Sequence, residues 1–193
     1  SNPSNQSMLN KSLEIIERNA TLQAKLVEDL LDISRITAGK ISLNLEPVEL
    51  QQAIERAIAT VSQSLKTKDI RLECLLDPLP TIVQGDPNRL QQIVLNLLTN
   101  AIKFTPDGGR IKICLEANET QAQIVLTDTG CGITASELPY IFDTFRQASP
   151  SNKGLGLGLA IARHLVELHN GTIYAESSGE EQGATFTVKL PIL

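Results

Sequence analysis

At 193 residues and 41% hydrophobic composition, the chain can build one substantial domain with an appendage. A net charge of −5 excludes a general nucleic-acid binder, which needs clustered Lys and Arg, and no apolar run approaches the roughly 20 residues of a membrane helix. Three cysteines, Cys74, Cys114 and Cys131, far apart and without a CxxC, point to a reducing compartment and away from a disulfide framework or a zinc site.

Residues 1–7, "SNPSNQS", read as a frayed start with no signal-peptide pattern. From about Met8 to Ala38 the pattern is helical. At 100° per residue, Leu9, Leu13, Ile16, Ala20, Ala24, Val27 and Leu31 fall on one face, and Ile15, Leu22, Leu26, Leu30 and Ile33 nearly opposite. A helix on a single core needs one apolar stripe, so two opposed stripes predict a bundle helix with two partners. Gly39 ends it.

The remainder reads as mixed α/β. "ISLNLEPVEL" alternates as a strand, "ELQQAIERAIATVSQSLKTK" is an amphipathic helix, and "IRLECLL" and "TIVQG" are short strands. "DPNRLQQIVLNLLTNAIKFT" is a helix with Asp86 as N-cap and Pro87 in the first turn. After a "PDGG" turn come strands near 110–117 and 121–128, then a loop with short helical turns over about 130–153. "LGLGLAIARHLVELHNG" is a helix, and strands near 172–177 and 184–190 finish the chain. The pattern predicts an antiparallel or mixed sheet with helices on one face. Aromatics make up only 3% and Trp is absent, so the core must be aliphatic.

Three segments carry residues suited to chemistry. On the helix after Pro87, Leu90, Ile93, Val94, Leu97, Leu98 and Ala101 form the core stripe, while Arg89, Gln92, Asn96, Asn100 and Lys103 share the other side. Asparagine is a mediocre helix former, so two of them followed by a lysine suggest either a plain solvated face or an oxygen ligand for Mg²⁺ beside a phosphate-facing cation. "TDTGCGI" ends a strand on Asp128 and follows it with Gly130 and Gly132; this is an ordinary exit from a strand, or a place where something flat and polar approaches the backbone. "KGLGLGLAIA" opens a helix with alternating glycines, leaving N–H groups where the helix dipole favours anions. It is neither GxxxxGK[ST] nor GxGxxG, and "GCGITA" lacks the βαβ context of a dinucleotide site.

In this order, with the aromatic "IFDTFRQ" between the glycine segments and "GATFTVKLP" after them, the motifs resemble those of the sensor histidine kinases. The catalytic domain of that family shares the Bergerat ATP-binding fold of type II topoisomerases, mismatch-repair ATPases and heat-shock chaperones. The resemblance runs from about Leu9 to Pro191. "NLLTNAIKFT" is similar to the N box, "DTGCGI" to the first glycine box, "IFDTFRQ" to the F box and "GLGLGLAIARHLVELHNGTI" to the second glycine box. "LQAKLVEDLLDISRITAGKISL" resembles the second helix of the dimerisation hairpin.

The resemblance implies an α+β class fold: a two-layer α/β sandwich with a mixed sheet, preceded by a long bundle-type helix. Residues 1–40 correspond to the second hairpin helix and 41–193 to the catalytic ATP-binding domain. It implies that Asp128 accepts a hydrogen bond from the adenine amino group, that Gly130, Gly132 and Ile133 form the loop beside the base, and that Thr185 supports the ring through water. Asn100 is implied as the Mg²⁺ ligand, Lys103 as neutralising phosphate charge and Phe104 as lining the site. Asn96 stands where related ATPases place a general base; an amide takes no proton, so it is implied to orient ligands or water. Gly154, Leu155, Gly156, Leu157 and Gly158 would face the phosphates, while Phe142 and Phe145 anchor the lid on the core.

The implied activity is transfer of the γ-phosphoryl group of Mg²⁺-ATP to a histidine and onward to a response-regulator receiver domain, in a cytoplasmic core whose parent is a homodimer; membrane attachment of the parent is left open. Two departures stand out. The only histidines, His164 and His169, lie in the last helix and read as surface or helix-end residues, so the phosphoacceptor helix is expected to be missing from this chain. Between "FRQAS" and "GLGLGL" only "PSNK" remains, a short lid. An ATP hydrolase of the same fold and a nucleotide-holding scaffold are the rival readings.

Overall fold

The computed structural model describes residues 3–146 and 155–193, with the side chains of residues 3–11, 14, 18 and 22 left aside. The chain divides into two compact units, Ser1–Ile41 and Ser42–Leu193. The first is helix α1 (Pro3–Thr37), which starts earlier than the polar "SNPSNQS" suggests. It ends in a Schellman motif: Gly39, at φ +62°, donates to the Ile36 carbonyl at 2.9 Å and Lys40 to that of Arg35 at 2.8 Å. Leu13, Ile16, Val27 and Leu31 of one apolar stripe, and Ile15 and Leu30 of the other, are all exposed; Leu9 and Leu22 lie outside the described side chains. None of the described helices is long and apolar enough to cross a membrane.

The second unit runs β1 (Glu46–Glu49), α2 (Leu50–Thr67), β2 (Arg71–Leu76), β3 (Ile82–Gly85), α3 (Pro87–Phe104), β4 (Arg110–Ala117), β5 (Gln121–Asp128), α4 (Gly158–Leu168), β6 (Thr172–Glu176) and β7 (Ala184–Pro191). A five-stranded sheet has the order β2-β4-β5-β7-β6; β2 and β4 are parallel and every other pair antiparallel. The expected mixed sheet is therefore present. β1 and β3 form a separate antiparallel pair, and the strand expected from Ile41 begins only at Glu46.

Alternation decides which face of the sheet is buried. Ile111, Ile113 and Leu115 of β4, Ala122, Ile124 and Leu126 of β5, and Phe186, Val188 and Leu190 of β7 are all buried. They meet the apolar stripes of the helices: Ile54, Ala57 and Val61 from α2, Leu90, Ile93, Val94, Leu97 and Leu98 from α3, and Ile161, Leu165 and Val166 from α4. As the composition requires, this core is almost wholly aliphatic; Phe186 is its aromatic member, with Phe142 packed edge-on at 6.4 Å between centroids.

Both ends of α3 are fastened. At its start the Asp86 carboxylate accepts from the N–H groups of Asn88 (3.0 Å) and Arg89 (3.1 Å), a side-chain N-cap with Pro87 in the first turn. The backbone N–H of Asp86 in turn donates to Nε2 of His169 at 3.1 Å, while Nδ1 of His169 lies 2.7 Å from the Leu165 carbonyl. The histidine read as a surface or helix-end residue does end α4, but it is buried, 3% exposed, and ties α4 to the start of α3. Since Nε2 must accept, the ring is neutral with its proton on Nδ1. At the other end of α3, the Lys68 ammonium donates to the carbonyls of Ile102 (2.7 Å) and Thr105 (2.5 Å), with that of Lys103 at 3.4 Å.

Burial lowers the pKa of His169, outweighing the Leu165 carbonyl and the nearby Asp86 carboxylate. With the folded value below the unfolded one of about 6.5, the unfolded chain takes up the extra proton. The stability this neutral ring provides is therefore complete above the unfolded pKa and is lost as pH falls from there through the lower folded value. His169→Gln should lower the melting temperature at pH 7.5 by roughly 4–8 °C, equivalent to about 2 kcal/mol for an orphaned buried N–H. The wild type should also lose more stability than the variant between pH 7.5 and 5.5, measured by thermal unfolding at several pH values.

Candidate nucleotide site

The site lies where the C-terminal end of β5 meets the polar side of α3 and the start of α4. Asp128 is the last residue of β5 and continues its buried series, so its carboxyl points to the helix side of the sheet at 5% exposure. One oxygen accepts from the Gly130 N–H at 2.8 Å. Burial raises the Asp128 pKa, opposed by the N–H groups of Gly130 and Ala184, and no cation pairs with it among the described residues. An unpaired buried carboxyl is costly and is retained where it has work to do on a ligand.

The glycines after Asp128 are explained first by the protein's own backbone. A Cβ on Gly130 would come 2.7 Å from both the Phe104 carbonyl oxygen and the Asp128 carboxylate. Gly132, at φ +71°, lies so close to the Gly179 carbonyl that a side chain there would overlap it. Residues 129–133 form a strap held on both sides. Cys131 donates to the Phe104 carbonyl at 3.3 Å and accepts from Glu181 at 2.7 Å, and Gly183 donates to Gly130 at 3.1 Å. The Ile133 N–H donates to Ser177 Oγ at 3.0 Å, which donates to the Gly183 carbonyl at 2.7 Å. Ser177, Gly179 and Gly183 were not anticipated from the sequence; "SSGEEQG" carried only a turn signal.

On α3 the two asparagines differ. Asn96 does not stand on a solvated face. It is 4% exposed, and its amide nitrogen donates to the Gly158 carbonyl at 3.0 Å, joining α3 to the first residue of α4. One turn later Asn100 is half-buried, with no side-chain hydrogen bond among the described residues. Lys103 is exposed at the helix end, its ammonium 4.7 Å from the centroid of the Phe104 ring, and partial burial lowers its pKa. Phe104 is half-buried, its carbonyl receiving the Cys131 N–H.

The helix α4 begins at Gly158, three residues later than the pattern "LGLGL" suggests, because Gly156 sits at φ +69° against the Arg146 carbonyl. Leu155 is exposed, Leu157 is buried as the N-cap residue and supplies no side-chain cap, and Gly154 lies outside the described residues together with "PSNK". Among the described residues no side chain caps the start of α4, and its first N–H groups, which have no intrahelical acceptor, suit an anion. The two lid phenylalanines part company. Phe142 packs on Phe186, whereas Phe145 is 60% exposed at φ +62°.

Thr185 is not brought to this site. Its register partner is Thr127, and the two hydroxyls lie 3.1 Å apart on the face of the sheet opposite the helices. Asp128 pairs instead with Ala184, which faces the core and has no hydroxyl. The apolar alternation Ala184, Phe186, Val188, Leu190 already assigns Thr185 to the far face.

These groups fit a purine nucleotide and a hard cation. Asp128 offers an acceptor in a desolvated corner, and the start of α4 and Lys103 offer positive potential for phosphates. Asn100 offers one neutral oxygen. Among the described residues no three His, Cys, Asp or Glu side chains converge, so a cation held here would draw its other oxygens from phosphate and water, the habit of Mg²⁺.

The family described as histidine kinase-, DNA gyrase B- and HSP90-like ATPase matches residues 85–193. Hybrid signal transduction histidine kinase D of Dictyostelium discoideum is 38% identical over 97% of this chain and 14% of its own length. Sensor histidine kinase TmoS of Ectopseudomonas mendocina is 37% identical over 94% of this chain and 19% of its own length. The chain thus spans less than a fifth of either relative. Among solved structures, a mycobacterial sensor histidine kinase, MprB, superposes with TM-score 0.68 at 33% identity, covering 77% of this chain and 97% of that one. Full-length ShkA in complex with AMPPNP superposes with TM-score 0.80 at 29% identity, covering 94% of this chain and 38% of that one. With the family matched over more than half its length, the chain belongs to the histidine kinase-, DNA gyrase B- and HSP90-like ATPases, in the fold of the histidine kinase catalytic domains.

Proposed function

We propose that this chain is the ATP-binding catalytic core of a two-component sensor histidine kinase. The observation that carries the reading is the buried carboxyl of Asp128 on the same side of the sheet as the start of α4 and the amide of Asn100, with no cation on the carboxyl and no hydrogen bond to the amide among the described residues. In this reading Asp128 accepts the adenine amino proton, and the strap 129–133 sets how deep the base enters. Asn100 and Lys103 meet the phosphate end. Mg²⁺, when bound, neutralises phosphate charge, with Asn100 as its protein ligand.

The chemistry asks little covalent work of these residues. A histidine imidazole nitrogen, supplied from a phosphoacceptor helix, attacks the γ-phosphorus in line, and the bond to the ADP oxygen breaks. Positioning and charge neutralisation lower the barrier. Asn96 serves as a positioning residue, since its amide is spent on the Gly158 carbonyl and fixes the α4 start relative to Asn100. We further infer that α1 is the second helix of the dimerisation hairpin. Its exposed Leu13, Ile16, Val27 and Leu31 would meet the acceptor helix and a second copy, and a receiver domain in the cytoplasm would take the phosphoryl group onward. The hydrolase reading is weaker because position 96 holds an amide already committed to the backbone and no carboxylate that could take a proton from water.

Incubation with γ-labelled ATP and a separate acceptor-helix fragment from a related kinase separates the readings. Acid-labile, alkali-stable label on the fragment's histidine is the expected result. Phosphate release alone would instead mark a hydrolase, and binding without turnover a scaffold. Asn100→Ala should leave ATP affinity the same with and without Mg²⁺, whereas the wild type should bind more tightly with the ion; calorimetric titration makes the comparison. A variant that kept the dependence would show that the ion is held elsewhere.

A further inference from the structure

The Lys68 ammonium is half-buried at the C-terminus of α3, where an α-helix leaves its last carbonyls without partners and its dipole is negative. All three of its donors are accounted for by carbonyls of that one turn, Ile102, Lys103 and Thr105. Lys68 is itself the residue that closes α2, its N–H turned back to the carbonyls of Lys66 and Ser64, and its own carbonyl accepts from Gly108 at 2.9 Å. The turn it grips carries Asn100, Lys103 and Phe104. The Phe104 carbonyl, which is not among the three that Lys68 holds, receives the Cys131 N–H at the middle of the strap that follows Asp128.

A chain of contacts therefore runs from Lys68 through the last turn of α3 to the strap. The geometry points to Lys68 as a positioning residue for nucleotide binding: by clamping the end of α3 it sets the spacing between Asn100 and Lys103, at the phosphate end, and Asp128, at the base end. This rests on the nucleotide reading of the site, but it assigns a role to a residue that touches no part of the nucleotide. An ordinary helix cap would stabilise the fold and leave the affinity of folded molecules unchanged. A spacer acts on affinity, because misplacement by a fraction of an ångström between two binding ends is felt at both.

The test is calorimetric binding of ADP to the chain carrying Lys68→Met or Lys68→Arg, at a temperature well below each variant's melting point. Lys68→Met keeps the aliphatic stem and removes the donors; it should weaken ADP about tenfold. Lys68→Arg, which restores a cation with donors for carbonyls, should return affinity to within about threefold of wild type. Should Lys68→Met not fold, Lys68→Gln, which keeps an amide donor pair, takes its place with an expected weakening of about threefold or more. Unchanged ADP affinity in the neutral variant, with only the melting temperature lowered, would overturn the proposal, as would a folded arginine variant no better than methionine. Absence of ADP binding by the wild type would defeat the nucleotide reading itself, a result distinct from either.

Discussion

Helix α3 is held at three points by groups far from it in sequence, and the candidate site depends on that restraint. The N–H of Asp86 is bound by His169, Asn96 grips the first residue of α4, and Lys68 gathers the last carbonyls. The helix carries on one side the largest share of the aliphatic core and on the other the groups set toward the site. An amphipathic helix alone could rotate or slide by small amounts within its hydrophobic bed, because apolar burial has no direction. Hydrogen bonds do have direction, and these three convert a packed helix into a fixed one.

The same logic explains the strap after Asp128. Two glycines in three residues look like room left for a ligand, yet each already faces protein: Gly130 the Phe104 carbonyl, Gly132 the Gly179 carbonyl. The strap is sandwiched between the end of α3 and the β6–β7 connection, with Ser177 as the cross-link. Its precision is built from backbone contacts, which no side-chain substitution at a neighbouring position can easily reproduce.

Local chemistry was plainly legible in the sequence. Asp86-Pro87 announced the start of α3, and the alternation of "RIKICLEA" and "QAQIVLTD" set the bounds of β4 and β5. The first and second glycine segments, the N-box helix and their order pointed to the fold. What the sequence hid depends on distant partners. Nothing in the segment around Lys68 announces its hold on the carbonyls of Ile102 and Thr105, and His169 reads as a surface or helix-end residue until Asp86 closes on it. Thr185 was placed beside Asp128 by position in a motif, whereas the pairing of Asp128 with Ala184 turns it to the other face, a one-residue offset that inverts a strand's orientation. The helix start at Gly158 slipped for a similar reason, since periodicity sees the leucines of "LGLGL" but not the left-handed turn at Gly156.

If the site is what we propose, the Asp128 carboxyl reads the adenine edge of a nucleotide. A carboxylate accepts the amino protons of adenine and opposes the carbonyl oxygen that guanine presents at the same position; an amide can turn to serve either. The direct measurement is the affinity of ADP and GDP for the wild type and for Asp128→Asn under identical conditions. The wild type should prefer ADP by about 100-fold or more, and the variant should lose most of that preference while keeping its melting temperature near that of the wild type. An unaltered preference in a folded variant would contradict it.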